Sequence, residues 1–287
     1  MKTRKPYSYS RSKKSDQSDE LINVYFVRPI AGVLVRILYP TPATPNQVTV
    51  AAILVGFLSA WVYSGGTTTT TQVAGVLLLA KDALDAADGQ LARAREQYSR
   101  KGRFLDSIGD FFVSLSIFVS IGISVSRHEG SYLYLLLALF AFLSVVLHIS
   151  YHVLYHTSFL HLENSYTINR TTEEIRPEDL NEDPWTRRLQ RIFLFLYGWQ
   201  DAMMVRLDRW AKRGLRGSDE AWYGDRVGIR WSGFLGLGTE NIVLVLFSLF
   251  DALPQYLLFN LVFMNLVWWT CVLYRRTLAG RLAKRAP

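Results

Sequence analysis

The chain has 287 residues, of which 50% are hydrophobic, 14% aromatic and 20% charged. Its apolar residues stand in long runs instead of alternating with polar ones, which argues against an ordinary soluble domain and predicts an all-α integral membrane protein. The net charge of +8, from 32 basic and 24 acidic residues, would suit nucleic acid or an anionic surface. The basic residues cluster beside apolar runs, which favours lipid headgroups and predicts no nucleic-acid partner.

Two segments at the start of the chain are predicted to lie outside the membrane bundle. Residues 1–20 are rich in Lys, Arg and Ser and have no apolar block, so we expect a disordered basic tail and not a secretory signal. Residues 21–39 are apolar but carry Arg28, Pro29 and Arg36. That composition suits a helix lying in the membrane interface better than one crossing the bilayer.

A membrane domain of six transmembrane helices is predicted for residues 40–276, followed by a basic C-terminal tail at 277–287. The loop at 156–226 is polar, and within it residues 185–213 have the mixed basic and aromatic character of a helix on the membrane surface. The predicted spans are residues 47–64, 72–93, 104–126, 131–155, 227–250 and 255–274.

The distribution of basic residues predicts the orientation of the bundle. They occur in both terminal tails, in the connection after the second span and in the loop at 156–226, whereas the other connections carry only Arg127. With six spans these four basic regions share one side, so the positive-inside rule places both termini and the adjoining ends of the second and third spans in the cytoplasm. Because no targeting segment is evident, we expect a bacterial plasma membrane in preference to a eukaryotic endomembrane.

Four carboxylates lie at the facing ends of the second and third spans. Asp85 and Asp88 are three residues apart, and Asp106 and Asp110 are four apart, so each pair projects from one face of its helix. Two unit charges about 4 Å apart repel by roughly 4 kcal/mol at an effective dielectric near 20, so a cation is expected between them. Mg²⁺ prefers carboxylate and phosphate oxygens, and the cluster therefore predicts a metal that holds a phosphate.

Neighbouring residues fit a diphosphate at this cluster. Gly89 and Gly102 let a bulky polyphosphate approach the backbone, and Arg93 can neutralise a phosphoryl group bidentately. With divalent ions bridging a diphosphate, an incoming hydroxyl could attack one phosphorus while a nucleoside monophosphate leaves. A carboxylate on the open side of the cluster would take the hydroxyl proton, and its position makes Asp110 our choice for this base.

The motif that joins these residues resembles a family signature. The segment reads Asp85-x2-Asp88-Gly89-x2-Ala92-Arg93-x8-Gly102-x3-Asp106-x3-Asp110. It is similar to the complete signature of the CDP-alcohol phosphotransferase family, also called CDP-alcohol phosphatidyltransferases. Eight fixed positions match by chance on the order of 10⁻¹⁰ per starting point, so the resemblance is specific.

The resemblance implies a fold, a reaction and a set of site residues. The family's six-helix core and juxtamembrane helix agree with the predicted spans and with residues 21–39. The implied partners are a CDP-linked donor, an alcohol acceptor and membrane lipids; the products are CMP and a phosphodiester, commonly a phospholipid, and homodimers are common. The resemblance implies one or two divalent ions, usually Mg²⁺ or Mn²⁺, held by Asp85, Asp88, Asp106 and Asp110, with Asp110 as the base. It also implies a CDP site shaped by Gly89, Ala92, Arg93 and Gly102, in which Asp85 takes part as well.

A shorter element precedes the first span. Pro45-Asn46-x2-Thr49 resembles a Pro-Asn-x-x-Thr element of some family members, which would place Asn46 or Thr49 near the cytidine. Helix capping is an equally simple interpretation of Asn46, because Asn is a preferred N-cap residue.

Three other features leave alternatives open. His148, His152 and His156 share one face of the fourth span and could bind a metal, although hydrogen bonding near the interface is the simpler interpretation. Glu240 lies within an apolar span after several small residues, so it belongs either to a substrate pocket or to a site of close helix packing. Asp82, which lies outside the signature, is expected to pair with a basic neighbour such as the lysine before it.

Two functional classes fit the sequence. The main hypothesis is a membrane transferase that moves a substituted phosphate from a CDP-linked donor to an alcohol. The donor is either CDP-diacylglycerol, acting on a polar alcohol such as glycerol phosphate, inositol phosphate or serine, or a soluble CDP-alcohol acting on a lipid hydroxyl. The alternative is a divalent-cation transporter or channel, which predicts polar residues continuing across the bilayer, whereas the acids here crowd one end of two spans.

Overall fold

The computed structural model describes residues 20, 22–163, 170, 172–214 and 218–285, so most of the predicted N-terminal tail and the last two residues lie outside it. Eleven α-helices form within the described residues. They are α1 (Arg28–Leu38), α2 (Pro45–Tyr63), α3 (Thr68–Arg95), α4 (Arg100–Glu129), α5 (Leu133–Leu162), α6 (Pro184–Ala211), α7 (Asp219–Tyr223), α8 (Arg226–Ser232), α9 (Leu237–Leu249), α10 (Leu253–Phe259) and α11 (Asn265–Arg285).

The apolar helices make the chain a multi-pass membrane protein. In the part of the chain that the structure describes, four segments are long and apolar enough to cross a bilayer: Pro45–Tyr63, Arg100–Glu129, Leu133–Leu162 and Leu253–Leu282. α8 and α9, which meet at a 41° bend, make a fifth if the pair is one span. The predicted second span is α3, whose 28 residues reach about 42 Å at 1.5 Å per residue. Its acidic second half makes it less apolar than the others, and the count of six spans remains a prediction.

The segment predicted as an interfacial helix is helical in the structure. A π-helical turn, Asn23–Val27, leads directly into α1. Ala31 and Val35 of α1 are buried in a cluster with Ala87 of α3, whereas the opposite side of the segment leaves large apolar side chains exposed. That arrangement fits a helix with one face on the bundle and one on lipid.

The start of α2 is fixed by a cap that we did not predict. Thr44 is the N-cap, and its side chain and that of Gln47 each accept the other's backbone N–H in a capping box. The prediction that Asn46 caps this helix is therefore wrong. The physical reason is that Pro45 occupies the first helical position, where its fixed φ is favourable, so the N-cap is Thr44, two residues before Asn46.

Close packing of α2, α3 and α4 positions the acidic motif. Gly109 of α4 lies directly against Ile53 of α2, where any added Cβ would overlap the isoleucine side chain. Because the helices pack this closely, the start of α2 lies next to the end of α3. The acidic ends of α3 and α4 both face the start of α2.

α6 is the amphipathic helix predicted within residues 185–213. Its inner face carries Leu196 and Phe193, which pack on Phe104 and Ile108 of α4, while Phe195 on the outer face is 83% exposed. α6 thus covers the acidic end of α4 on the side away from α3.

Candidate active site

Three of the four predicted metal ligands converge at the α3–α4 junction. One carboxylate oxygen from each of Asp85, Asp88 and Asp106 lies within 4.8 Å of the other two. The hydroxyl of Thr49, from the first turn of α2, donates a hydrogen bond to Asp88 and holds that carboxylate in place. A set of oxygen donors alone suits a hard divalent cation, so these residues fit the metal that the signature implies.

Asp110, the fourth predicted ligand, has a different partner. Its carboxylate lies 2.5 Å from Nζ of Lys81, whose side chain is almost fully buried. Lys81 Nζ also lies 3.6 Å from Asp82 and 4.0 Å from Asp85. One buried ammonium therefore offsets part of the repulsion among the acids, and Asp110 borders the cluster of three; its role as a fourth ligand remains a prediction.

The pairing expected for Asp82 is confirmed by its contact with Lys81. Asp82 also accepts a hydrogen bond of 2.8 Å from Nδ2 of Asn241 on α9, which ties α3 to α9 near the cluster. No role at the site itself was predicted for Lys81. The sequence did indicate an ion pair for Lys81, because a lysine within an apolar helix one turn before Asp85 needs a buried anion.

A cavity of about 230 Å³ opens beside the metal cluster. It is bordered by Asp88 and Asp106 and by six residues predicted for the nucleotide, namely Asn46, Thr49, Gly89, Ala92, Arg93 and Gly102. Asp85, which was also predicted for the nucleotide, borders a neighbouring cavity instead. An added Cβ at Gly102 would lie 2.5 Å from Oδ1 of Asn46, so a larger residue at 102 would displace the Asn46 side chain. Asn46 thus faces the cavity and not the helix terminus. We call this space the nucleotide cavity.

The nucleotide cavity is also lined by two arginines for which no role was predicted, Arg100 and Arg103. Nη1 of Arg100 lies 2.6 Å from Asp179, and Glu173 pairs with both arginines. Hydrogen bonds from Arg170 hold the pKa of the buried Asp179 carboxyl well below its usual range. These ion pairs fasten the segment before α6 to the rim of the cavity.

A second cavity of about 270 Å³ meets the nucleotide cavity at the cluster. Asp88, Gly89, Arg93 and Asp106 border both spaces. Its remaining lining is mixed: the polar residues are Asn23, Arg28, Asp82, Asp85 and Gln90, and the others are Val27, Ala86, Leu237 and Gly238. We call this space the polar cavity.

Glu240 and His148 pair inside the helix bundle. Glu240 is buried, lies 2.7 Å from Nδ1 of His148 and accepts a 3.0 Å hydrogen bond from Asn260. His152 contacts Ser232 instead, so the three histidines do not converge on one point. Within the described residues, the aspartate cluster is the only group of three or more His, Cys, Asp or Glu side chains that are close enough together to hold a metal.

Comparison with known proteins supplies a family. A model described as CDP-alcohol phosphatidyltransferase matches residues 42–210, which contain the cluster and the nucleotide cavity. Proteins named "Bifunctional IPC transferase and DIPP synthase" are similar over shorter stretches: the one from Thermococcus kodakarensis is 36% identical over 96 residues, 33% of this chain and 21% of that protein. The one from Archaeoglobus fulgidus is 41% identical over 69 residues, 24% of this chain and 13% of that protein. The matched segments thus span about a fifth or less of these relatives.

Proposed function

The chain belongs to the CDP-alcohol phosphatidyltransferase family, and we propose that it transfers a substituted phosphate from a CDP-linked donor to an alcohol hydroxyl and releases CMP. The observation that carries this proposal is the convergence of Asp85, Asp88 and Asp106 at a cavity bordered by all the other residues expected to shape a CDP site. The names of the relatives, which also describe transferases, support the same class of reaction.

Each part of the site has a proposed role. The CMP portion of the donor occupies the nucleotide cavity, with Asn46 and Thr49 at the cytidine end and Arg93 at the diphosphate. Asp85, Asp88, Asp106 and Asp110 would together hold one or two ions of Mg²⁺ or Mn²⁺. Such ions, when bound, neutralise the charge that develops on the diphosphate.

Asp110 is the proposed base. It lies one helical turn beyond Asp106, outside the nucleotide cavity, where an incoming hydroxyl has access to it. Asp110 takes the hydroxyl proton as the acceptor oxygen bonds to the phosphorus that carries the substituent, and the bond from that phosphorus to CMP breaks.

The proposed setting is a six-span catalytic domain, residues 40–276, with both termini and the site on the cytoplasmic side of a bacterial plasma membrane. The positive-inside pattern supports this orientation, and homodimerisation is proposed from the family alone. Within the described residues no observation favours the transporter alternative. The acids lie at one end of the bundle, and Glu240 is engaged by His148 and Asn260.

A product assay tests the proposal. Purified protein in lipid nanodiscs is incubated with CDP-linked donors and alcohols, and CMP and phosphodiester products are measured by mass spectrometry. We expect CMP release that stops on chelation with EDTA and returns with Mg²⁺ or Mn²⁺. Metal-ion flux into proteoliposomes without any nucleotide turnover would refute the transferase assignment.

A further inference from the structure

A third cavity, of about 270 Å³, lies beside Asp110 between α4, α5 and α6. It shares no lining residue with the nucleotide cavity. Asp106 borders the nucleotide cavity and Asp110 borders the third cavity, so one turn of α4 separates the two spaces. An in-line displacement needs the attacking and leaving oxygens on opposite sides of the phosphorus, and these two cavities offer separate places for them. We call the third space the acceptor cavity.

The walls of the acceptor cavity are largely apolar. They comprise Phe111 of α4, Phe142, Val145, Val146 and Ile149 of α5, and Phe193 of α6. Val153, also in the lining, is 47% exposed and continues the outward apolar surface of α5. A wall of this composition favours hydrocarbon that enters from the bilayer over a hydrated polyol.

The charged groups that border the acceptor cavity are acidic. Glu20, Asp110 and Asp201 line it, and among the described residues no lysine or arginine does. Its other polar lining consists of Ser107, Ser114, Ser150, His152, Tyr197 and Gln200. A phosphorylated acceptor carries at least one negative charge, and phosphate recognition relies on arginine, lysine or helix N-termini. The N-terminus of α9, whose first residue Leu237 lines this cavity, already binds the Glu20 carboxylate through the amide and hydroxyl of Thr239. An uncharged hydroxyl compound therefore fits this cavity better than a sugar or glycerol phosphate.

The polar cavity has the opposite character. Arg28, Asp82 and Gln90 line it, and it meets the nucleotide cavity at the residues that face the diphosphate. The substituent on the donor's second phosphate would project into this space, where a small polar group finds hydrogen-bonding partners. The polar cavity therefore suits a polar substituent on the donor, and the acceptor cavity suits an apolar acceptor.

We propose that the acceptor is an uncharged lipid alcohol, such as the free hydroxyl of a diacylglycerol, and that the donor is a soluble CDP-alcohol; this inference rests on the transferase function proposed above. The lipid hydroxyl gives its proton to Asp110, and its oxygen bonds to the phosphorus that carries the polar substituent. The bond from that phosphorus to the bridging oxygen breaks, and CMP leaves with that oxygen. The product is a phosphodiester that joins the lipid to the polar alcohol.

The first test compares the two directions of transfer with the same purified protein, Mg²⁺ and nanodiscs. One arm supplies dioleoylglycerol with CDP-choline, CDP-ethanolamine or CDP-glycerol, and the other supplies CDP-dioleoylglycerol with glycerol phosphate, inositol phosphate or serine. We expect CMP and a new phospholipid in the first arm alone. Turnover in the second arm alone overturns this inference and leaves the transferase function standing. Absence of CMP in both arms overturns the two together.

The second test locates the lipid and needs no turnover. A diacylglycerol with a diazirine on its acyl chain is photolysed in the nanodisc, and crosslinked peptides are mapped by mass spectrometry. We expect crosslinks within 142–153 and 193–201 that unlabelled diacylglycerol removes. Crosslinks confined to other segments, or removed only by CDP-diacylglycerol, contradict the proposal.

A cavity-filling variant links the two tests. Ile149→Trp should reduce the crosslink and raise the KM for dioleoylglycerol at least about tenfold, with the KM for the CDP-alcohol unchanged. The milder Ile149→Phe provides the same test if the larger side chain prevents folding. The control is Leu136→Trp, on the exposed side of α5, which should alter neither value. Equal KM values for dioleoylglycerol in Ile149→Phe and Leu136→Trp contradict the proposal.

Discussion

The ammonium of Lys81 lies 2.5 Å from the carboxylate of Asp110, between two helices whose acidic ends face each other. The proposed base is thus held by a cation that the chain itself supplies. Lys81 also contacts Asp82 and Asp85, so it stands between the metal cluster and the base. With a metal bound at the three aspartates, charge compensation at this site would be shared between that ion and a buried lysine.

Asp110→Asn should remove the proposed base and leave the nucleotide cavity intact. We expect CMP release to fall by about 10²- to 10⁴-fold, the usual contribution of general base catalysis. CDP affinity, measured by isothermal titration calorimetry, should stay nearly constant because Asp110 does not border that cavity.

The matched control for this variant is Asp208→Asn. Asp208 is a buried aspartate that accepts hydrogen bonds from Tyr155, Trp222 and Tyr223, outside the three cavities. Its loss should lower the melting temperature while the folded fraction keeps its turnover. Normal turnover in Asp110→Asn would show that another group is the base.

Lys81→Met should slow turnover without removing any predicted ligand. Residues that hold metal ligands in position typically contribute about 10- to 100-fold to metal affinity or activity. We expect kcat to fall by about that factor. Lys212→Met, which removes ion pairs to Asp208 and Asp219 away from the site, is the control and should keep kcat. Equal kcat values for the two variants would assign Lys81 a structural role only.

Thr49→Val should weaken metal binding because it removes the hydroxyl that donates to Asp88. We expect the apparent affinity for Mn²⁺, read by electron paramagnetic resonance, to fall about 10- to 100-fold. Thr49→Ser retains the hydroxyl and should bind Mn²⁺ nearly as the parent does. If valine and serine behave alike, the hydrogen bond does not tune the metal site.

Gly102→Ala should obstruct the nucleotide cavity, since the new Cβ would lie 2.5 Å from Oδ1 of Asn46. The expected result is a higher KM for the CDP-linked donor with a modest change in melting temperature. Gly198→Ala is a matched control in α6, because no atom lies within 4 Å of its added Cβ. That variant should keep KM and gain up to about 1 kcal/mol in helix stability. A KM for Gly102→Ala equal to that of Gly198→Ala would contradict the assigned cavity.

Acid should weaken the ion pairs that fasten the segment before α6. The pKa of Asp179 is lowered in the folded protein, mainly by Arg170, so its ionised form adds stability that is present at neutral pH. That contribution is lost as the pH falls below about 4, toward the folded-state pKa.

Asp179→Asn tests this linkage. It should destabilise the protein by about 2 kcal/mol at pH 7, the scale of a hydrogen bond to a charged group. The difference from the parent should narrow below about pH 4 in thermal melts. Glu178→Gln alters an exposed contact with the same Arg170 and should cost less than about 1 kcal/mol. A pH-independent difference for Asp179→Asn would contradict the assigned ionisation.

The acidic cluster could be predicted because its order in space follows from local geometry. Asp85 with Asp88, and Asp106 with Asp110, are brought to one helix face by the 3.6-residue repeat, whatever the rest of the chain does. The apolar runs predicted the spanning helices for a similar reason, since bilayer thickness alone fixes their length. Helix ends were less certain, because Thr44 and Asn46 are both good caps and only the backbone path distinguishes them.

Contacts between distant segments were decided by the tertiary structure. Lys81 on α3 pairs with Asp110 on α4. Glu173 and Asp179 pair with an arginine of the nucleotide cavity from a segment more than 70 residues later. Glu240 contacts His148 inside the bundle. No local repeat encodes these pairs, because each depends on which helix faces pack together. The sequence by itself determined which oxygen ligands the site offers, through the spacing of its aspartates. The packing of α4, α5 and α6 formed the apolar space beside Asp110, because a cavity has no periodicity of its own and exists only between assembled helices.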